Sequence, residues 1–133
     1  MSYKNISIIH KMNTLLEYIL VSILFVAVDS IYLSSVSKYF NKQVRDIQGG
    51  DLVLKIFPTF LCYVILSLGV YYFGVVKKLT LTESFFLGIF VYGVYETTNM
   101  AILKNWRWMT VLMDTVWGGV LFASVIGISR LIM

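Results

Sequence analysis

The chain alternates between four long apolar stretches and shorter polar segments. The apolar stretches cover residues 15–36, 52–76, 81–103 and 108–130. Each is near the roughly 20 residues that an α-helix needs to cross the hydrocarbon core of a bilayer. Because the apolar residues are continuous and do not alternate with polar ones, the pattern predicts helices and not strands. We therefore predict an all-α integral membrane protein with four transmembrane helices.

The polar segments decide how the predicted helices are connected. "VKKLTLT" joins the second stretch to the third, and "KNWRW" joins the third to the fourth. Links this short place consecutive helices side by side and antiparallel. The prediction is a single antiparallel four-helix domain over residues 1–133, with both termini on one side of the membrane. We name that side A and the opposite side B.

The first connection is longer than the others. It places Phe40, Val44 and Ile47 at helical spacing and then reaches Gly49 and Gly50. This pattern indicates either a short interfacial helix lying on the membrane or an ordinary polar loop. The apolar stretch before it is too long for a signal peptide and lacks a small-residue cleavage site, so it predicts a retained helix.

Composition supports the membrane assignment. Of 133 residues, 59% are hydrophobic and 14% are charged, and the mean hydropathy is +0.82. A soluble domain of this size has too little interior to bury so much apolar surface. The net charge of +4 comes from lysines and arginines that flank the apolar stretches. That position is typical of interfacial anchors and predicts the lipid bilayer, not a nucleic acid, as partner.

The basic residues do not assign an orientation, because their numbers on the two sides are almost equal. Five fall on side A and six on side B. Side A carries Lys4, Lys11, Lys77, Lys78 and Arg130, and side B carries Lys38, Lys42, Arg45, Lys55, Lys104 and Arg107.

Three acidic residues lie deep inside the apolar stretches, namely Asp29, Glu96 and Asp114, whereas Glu17 and Glu83 lie near side A. With a helical rise of ~1.5 Å per residue, Asp29 and Glu96 lie roughly 21–22 Å from side A. Asp114 lies roughly 9 Å from side B, which in a hydrocarbon core ~30 Å thick is the same depth. An acid at membrane depth is costly and is by default a functional-site hypothesis. The sequence therefore predicts a polar layer closer to side B.

Other residues of this layer could support the acids. Pro58 lies at a similar depth and is predicted to leave a carbonyl near Leu54 free. The residues one turn from an acid on the same helix are Tyr32 near Asp29, Tyr92 and Asn99 near Glu96, and Trp117 near Asp114. Gly118 and Gly119 are predicted to let another helix approach the fourth helix closely. Tyr95 and Thr98 are weaker candidates, because a threonine hydroxyl readily bonds to its own helix. Trp106 has the position of an interfacial aromatic residue.

Two interpretations of the acid layer remain open. It is either a protonated, hydrogen-bonded network that fixes helix packing, or a site for a cation, a proton or a polar substrate. The single histidine, His10, lies outside the apolar stretches, and Cys62 is the single cysteine. This argues against a histidine-based metal centre or a Ser-His triad within the membrane.

The segment "YGVYETTNMAILKNWRWMTVLMDTVWGG", residues 92–119, resembles the signature of a family of small bacterial and viral membrane proteins, domain of unknown function 2177. The resembling positions are Tyr92, Gly93, Tyr95, Glu96, Thr98, Asn99, Lys104, Trp106, Asp114, Trp117 and Gly118, with Asp29, Tyr32 and Leu33 earlier in the chain. The resemblance implies four transmembrane helices and supplies no established activity. Glu96 stands where the family has Asp, and Tyr32 where it has Trp. The longer Glu96 side chain weakens the case for a tight metal geometry.

Three functional hypotheses result. The first is a cation- or proton-conducting or -coupled transport protein, in which Asp29, Glu96, Asn99 and Asp114 bind the ion. Such a protein could need a homo-oligomer, because four helices enclose little lumen. The second is a membrane-embedded lipid-modifying enzyme or its accessory subunit, which is less favoured because no nucleophile motif is present. The third is an assembly protein whose acids form a packing network. A bound cation is the one cofactor the sequence suggests.

Overall fold

Four helices make up the fold, which a computed structural model describes for residues 2–133. The first, α1, covers Tyr3–Gln48 and the second, α2, covers Ile56–Val70. A π-helical segment, Tyr71–Val76, continues α2. The remaining helices are α3, Leu81–Ile102, and α4, Trp108–Ile132. Residues 2–133 contain no strand, so the predicted all-α class is confirmed.

Three of these helical segments are long and apolar enough to cross a membrane. They are α1, the continuous segment Ile56–Val76, and α4. The fourth helix, α3, has a similar length but carries Glu83, Glu96 and the polar run around them. The chain is therefore a helical membrane protein with three candidate spans, and a fourth crossing by α3 stays a prediction.

The longest helix, α1, differs most from the sequence-based prediction. It is one helix of 46 residues, roughly 69 Å long at ~1.5 Å per residue. The residues predicted to form a separate interfacial helix are helical, but they continue α1 without a break. No glycine or proline interrupts residues 3–48. Polarity indicates where a helix leaves the membrane, whereas backbone conformation decides where the helix ends.

Gly49 ends α1. Its φ is 76°, in the left-handed region that favours glycine. Its backbone N–H donates to the carbonyl of Arg45, which satisfies one of the last carbonyls of the helix. The predicted end of the helical pattern at this glycine is therefore where the helix stops.

The start of α2 corrects the prediction made for Pro58. This proline is the third residue of the helix, where its missing N–H would have had no partner within the helix. Residues 51–55 precede the helix and are not helical. Pro58 therefore initiates α2 and does not free a carbonyl within a transmembrane helix.

Small residues let α3 pack closely on α4. The backbones meet at Gly88 and Gly118, where an added Cβ on Gly88 would lie 2.1 Å from the Gly118 carbonyl oxygen. On either side of this point, Gly93 faces Thr115 and Gly127 faces Leu81. The facing positions run in opposite order along the two helices. Most of the tertiary contacts of α3 are with α4, so this close approach fixes the position of α3.

An apolar core fills the half of the protein nearer side A. It is formed by α1, α4 and the segment α2 to Val76, and it consists of Val21, Phe25, Val70, Tyr71, Leu121, Phe122, Val125 and Ile126. At the side-A end, the Tyr71 hydroxyl donates to Glu17 over 3.2 Å. Arg130 donates to the carbonyls of Gly74 and Leu79, where α2 and its π-helical segment end. The buried acids lie beyond this core, toward side B, together with Gln43 and Thr110, whereas three buried serines, Ser67, Ser84 and Ser129, lie at the level of the core or toward side A.

Candidate functional site

Asp29 links three helices. The Tyr63 hydroxyl of α2 donates to Asp29 Oδ2 over 2.7 Å, and the Trp117 indole N–H of α4 donates to Asp29 Oδ1 over 2.9 Å. The carboxyl group is 6% exposed. Both of its oxygens are therefore occupied by donors that are not charged.

Glu96 and Asp114 form a second acidic group, which we call the carboxyl pair. Glu96 is fully buried and Asp114 is 7% exposed. The two carboxyl groups lie within hydrogen-bonding reach of each other. The Trp106 indole N–H donates to Glu96 Oε2 over 2.8 Å. Among residues 2–133, no donor group reaches the buried Oε1 atom of Glu96, so one acceptor of the pair is left open.

Tyr32 lies between Asp29 and the carboxyl pair. Its ring stacks on Trp117, with centroids 4.5 Å apart and an angle of 10° between the planes. Its buried hydroxyl is directed toward Asp114 but completes no hydrogen bond within the described chain. Of the predicted supporting residues, Tyr32, Trp106 and Trp117 thus surround the three acids.

The other predicted supporting residues make no hydrogen bond to the acids within residues 2–133, although Tyr92 lies near Asp29 and Asp114. Tyr92 packs edge-on against Phe122, and Tyr95 is 58% exposed. Thr98 is exposed and Asn99 is half-buried. Within residues 2–133, neither of their side chains donates to or accepts from an acid. Gly118 serves the packing of α3 on α4. The structure therefore does not bring Asn99 to the acids, although they share a helix face in the sequence.

Gln43 is a buried polar residue that the sequence did not single out. It is fully buried, and its Oε1 atom accepts hydrogen bonds from the Thr110 hydroxyl over 2.6 Å and the Arg107 backbone N–H over 3.2 Å. Its Nε2 atom has no acceptor in the described chain. Gln43 follows Asp29 by 14 residues, which is two heptads and hence the same helix face. Tyr63 was also missed, because it lies within an uninterrupted apolar stretch.

An open cleft lies at the side-B end of the interior. Its volume is about 530 Å³, and Asp46, Asn105, Trp106 and Arg107 line it. We call it the side-B cleft. Arg107 donates to Asp46 Oδ2 over 2.8 Å and lies 5.2 Å from the centroid of the Tyr39 ring. Trp106 belongs both to the cleft and to the environment of Glu96, so one side chain joins the two.

The ion pairs of residues 2–133 lie at side B, outside the polar interior. They are Arg107 with Asp46 and Arg45 with Asp51. The hydrogen bond from Arg45, and then its charge, hold the pKa of the exposed Asp51 below its usual value. Neither pair includes Asp29, Glu96 or Asp114. The three acids are therefore buried without a basic partner in the described chain.

The acids also do not assemble into a metal-binding group. Residues 2–133 contain no set of three or more His, Cys, Asp and Glu side chains arranged to hold a metal ion. Asp29 is directed at Tyr63 and Trp117, and only the carboxyl pair remains together. The predicted layer of three acids is thus divided into a bonded single acid and a pair.

The helices and the buried acids define a class, that of small polytopic helical membrane proteins with a polar interior. The family model described as "Predicted membrane protein (DUF2177)" matches residues 14–131. The chain belongs to this family, and the resemblance seen in residues 92–119 is confirmed. No curated protein and no solved structure matches the chain.

Proposed function

We propose that this protein is a proton-coupled membrane protein whose carboxyl pair, Glu96 and Asp114, takes up and releases a proton. The observation that carries the proposal is the contact between two buried carboxyl groups without a basic partner. Two carboxylates held this close in a low-dielectric interior repel each other strongly. A single proton between them removes one charge and supplies a hydrogen-bond donor, so the two groups titrate as one unit.

A proton is favoured over a metal ion by the bonding of Asp29. A metal ion bound by all three acids would have to displace the Tyr63 hydroxyl and the Trp117 indole from Asp29. The remaining pair offers only two carboxyl groups, whereas Ca²⁺ takes six to eight oxygen ligands. The first hypothesis from the sequence is therefore narrowed from cations in general to the proton.

Coupling is favoured over an open channel by the position of the apolar core. Phe25 lies one turn from Asp29 toward side A, and Leu121 lies two turns from Asp114 in the same direction. A continuous pore would have to pass between these packed side chains. We propose four antiparallel crossings in which α3 is held against α4. Proton release toward side A would then require a change in helix packing.

The proposal predicts a protonated carboxyl band that depends on both members of the pair. In infrared difference spectra of the protein in membranes, the C=O stretch of a protonated carboxyl group is expected to appear as pH is lowered. Glu96→Gln and Asp114→Asn should each remove the band at the pH where wild type shows it, because the remaining carboxyl group no longer has a charged neighbour that favours its protonation. The control is Glu83→Gln, on the same helix, where Glu83 forms an exposed capping box with Thr80.

Retention of the full band in both Glu96→Gln and Asp114→Asn would show that the pair does not hold the proton. Equal loss in Glu83→Gln would show that the band reports general disruption of α3. Proton flux into liposomes should follow the spectroscopic result, with wild type above Glu96→Gln when a pH gradient is imposed.

A packing role is the second candidate, and the bonding of Asp29 favours it. Asp29 joins α1 to Tyr63 of α2 and to Trp117 of α4 through two hydrogen bonds. Both bonds are complete without a ligand. We propose that Asp29 is a structural residue and that the carboxyl pair is the functional one. The variants considered in the Discussion separate these two roles.

A further inference from the structure

The carboxyl pair is separated from the side-B cleft by one side chain. Trp106 lines the cleft together with Asp46, Asn105 and Arg107. Its indole N–H donates to Glu96 Oε2 over 2.8 Å. The cleft is open to the exterior, whereas Glu96 is fully buried. Trp106 thus contacts both the cleft and the buried acid.

A further buried polar atom without a hydrogen-bond partner lies near the side-B cleft. Gln43 accepts from the backbone N–H of Arg107, a residue of the cleft, while its buried Nε2 lacks an acceptor in the described chain. Gln43 also accepts from Thr110, which lies one turn of α4 before Asp114. A buried polar atom without a partner costs free energy unless water reaches it. These atoms are therefore suited to contact with water entering from side B.

Toward side A, beyond the level of the acids, no buried side-chain polar atom of residues 2–133 lacks a hydrogen-bond partner. Phe25, Phe122 and Val125 belong to the apolar core between Asp29 and side A. On that side the hydrogen bonds between α1 and the α2 segment are those from Tyr18 to the Val64 carbonyl and from Tyr71 to Glu17. A proton moving toward side A would have to pass the packed side chains of the apolar core. Access is thus unequal on the two sides.

We infer that, in the helix packing seen here, the carboxyl pair exchanges its proton with side B through the side-B cleft, and that Trp106 is the gate of this route. The inference rests on the proposed function, since it assigns an entrance to the same pair. When the indole stays bonded to Glu96, the route is closed. When the indole turns away, Glu96 faces the water of the cleft.

Titratable groups face the pair from several elements. Tyr32 and Asp29 of α1 lie next to Asp114, Tyr92 of α3 lies near Asp29 and Asp114, and Tyr63 of α2 acts through its bond to Asp29. At the entrance, Arg107 is neutralised by Asp46. The acids and tyrosines that face the pair carry no positive charge at any pH, so none of them can stabilise two ionised carboxyl groups.

The test uses carbodiimide labelling of Glu96 in liposomes. A hydrophobic carbodiimide crosses the membrane and reacts with protonated carboxyl groups, and peptide mass spectrometry measures the labelled fraction. The two sides are buffered independently. Orientation is scored with an impermeant maleimide on Lys4→Cys in a Cys62→Ser background, because Lys4 is exposed beyond side A. Labelling should fall when the side-B buffer is made alkaline and should not respond to side A.

The gate is tested by two matched tryptophan variants. Trp106→Phe removes the N–H donor and keeps an aromatic ring, whereas Trp108→Phe changes a residue that is 67% exposed and does not contact Glu96. With a water-soluble, impermeant carbodiimide on side B, Trp106→Phe should be labelled about tenfold faster than wild type, since loss of one hydrogen bond raises the population of the open state by about that factor. Trp108→Phe should match wild type.

Three results would overturn the inference. Labelling that follows the side-A buffer, or both buffers equally, would exclude a side-B entrance while leaving the proton-binding pair intact. Equal labelling rates for Trp106→Phe and Trp108→Phe would exclude Trp106 as the gate. If wild type is not labelled at any pH and matches Glu96→Gln, the proposed proton site is wrong, and the proposed entrance to it is wrong as well. The buffer measurement on wild type does not depend on whether a variant folds.

Discussion

Gly88→Ala is expected to lower the free energy of unfolding by about 3 kcal/mol, at the upper end of the usual cost of overpacking a close contact. The added Cβ would lie 2.1 Å from the carbonyl oxygen and 2.6 Å from the carbonyl carbon of Gly118. These are backbone atoms of α4, so a side-chain rotation cannot relieve the overlap. The helices must move apart, which loosens the contact that positions Glu96 against Asp114. Equilibrium unfolding in detergent measures the change.

Gly69→Ala is the matched control, because it makes the same chemical change within the helical segment Ile56–Val76, near the end of α2. A Cβ at Gly69 meets no atom within 4 Å. Alanine is the better helix former, so this variant is expected to be neutral or more stable by about 0.5 kcal/mol. Equal stability changes in the two variants would mean that the approach of α3 to α4 at Gly88 is not the close contact seen here.

Asp29→Leu is expected to destabilise the protein by about 3 kcal/mol, because it leaves two buried donors without acceptors. The Tyr63 hydroxyl and the Trp117 indole N–H would both lose their partner. Asp29→Asn should stay much closer to wild type. Its carbonyl oxygen can accept from Trp117, and its amide can donate to the Tyr63 oxygen, since a phenol is both donor and acceptor. Thermal and denaturant unfolding measure both variants.

The adjacent residue supplies the control for Asp29→Leu. Ser30 is exposed, and its hydroxyl bonds only to the Val26 carbonyl of its own helix, so Ser30→Leu should leave stability within about 0.5 kcal/mol of wild type. Leucine tolerated equally at both positions would contradict a packing role for Asp29. Loss of the protonated carboxyl band in a stable Asp29→Asn would assign Asp29 to the proton site after all.

The apolar pattern alone determined most of the secondary structure. α3 and α4 begin at Leu81 and Trp108, where the third and fourth apolar stretches begin. These boundaries are local, because Thr80 with Glu83 forms a capping box that starts α3, and a short polar link separates α3 from α4. The burial of Asp29, Glu96 and Asp114 could also be predicted from the sequence. An acid within an apolar membrane-spanning stretch avoids the lipid by facing the interior of the protein.

The length of α1 and the partners of the acids were decided by tertiary structure. Sequence depth placed three acids in one layer, but the helix rotations that direct Asp29 to Tyr63, and Glu96 to Trp106 and Asp114, depend on packing between helices. Asn99 shares a face with Glu96 and still lies apart from it for the same reason. Hydropathy reports how far along the membrane normal a residue lies. Which residue it meets depends on the rotation and spacing of four helices, and those are set by contacts such as Gly88 on Gly118.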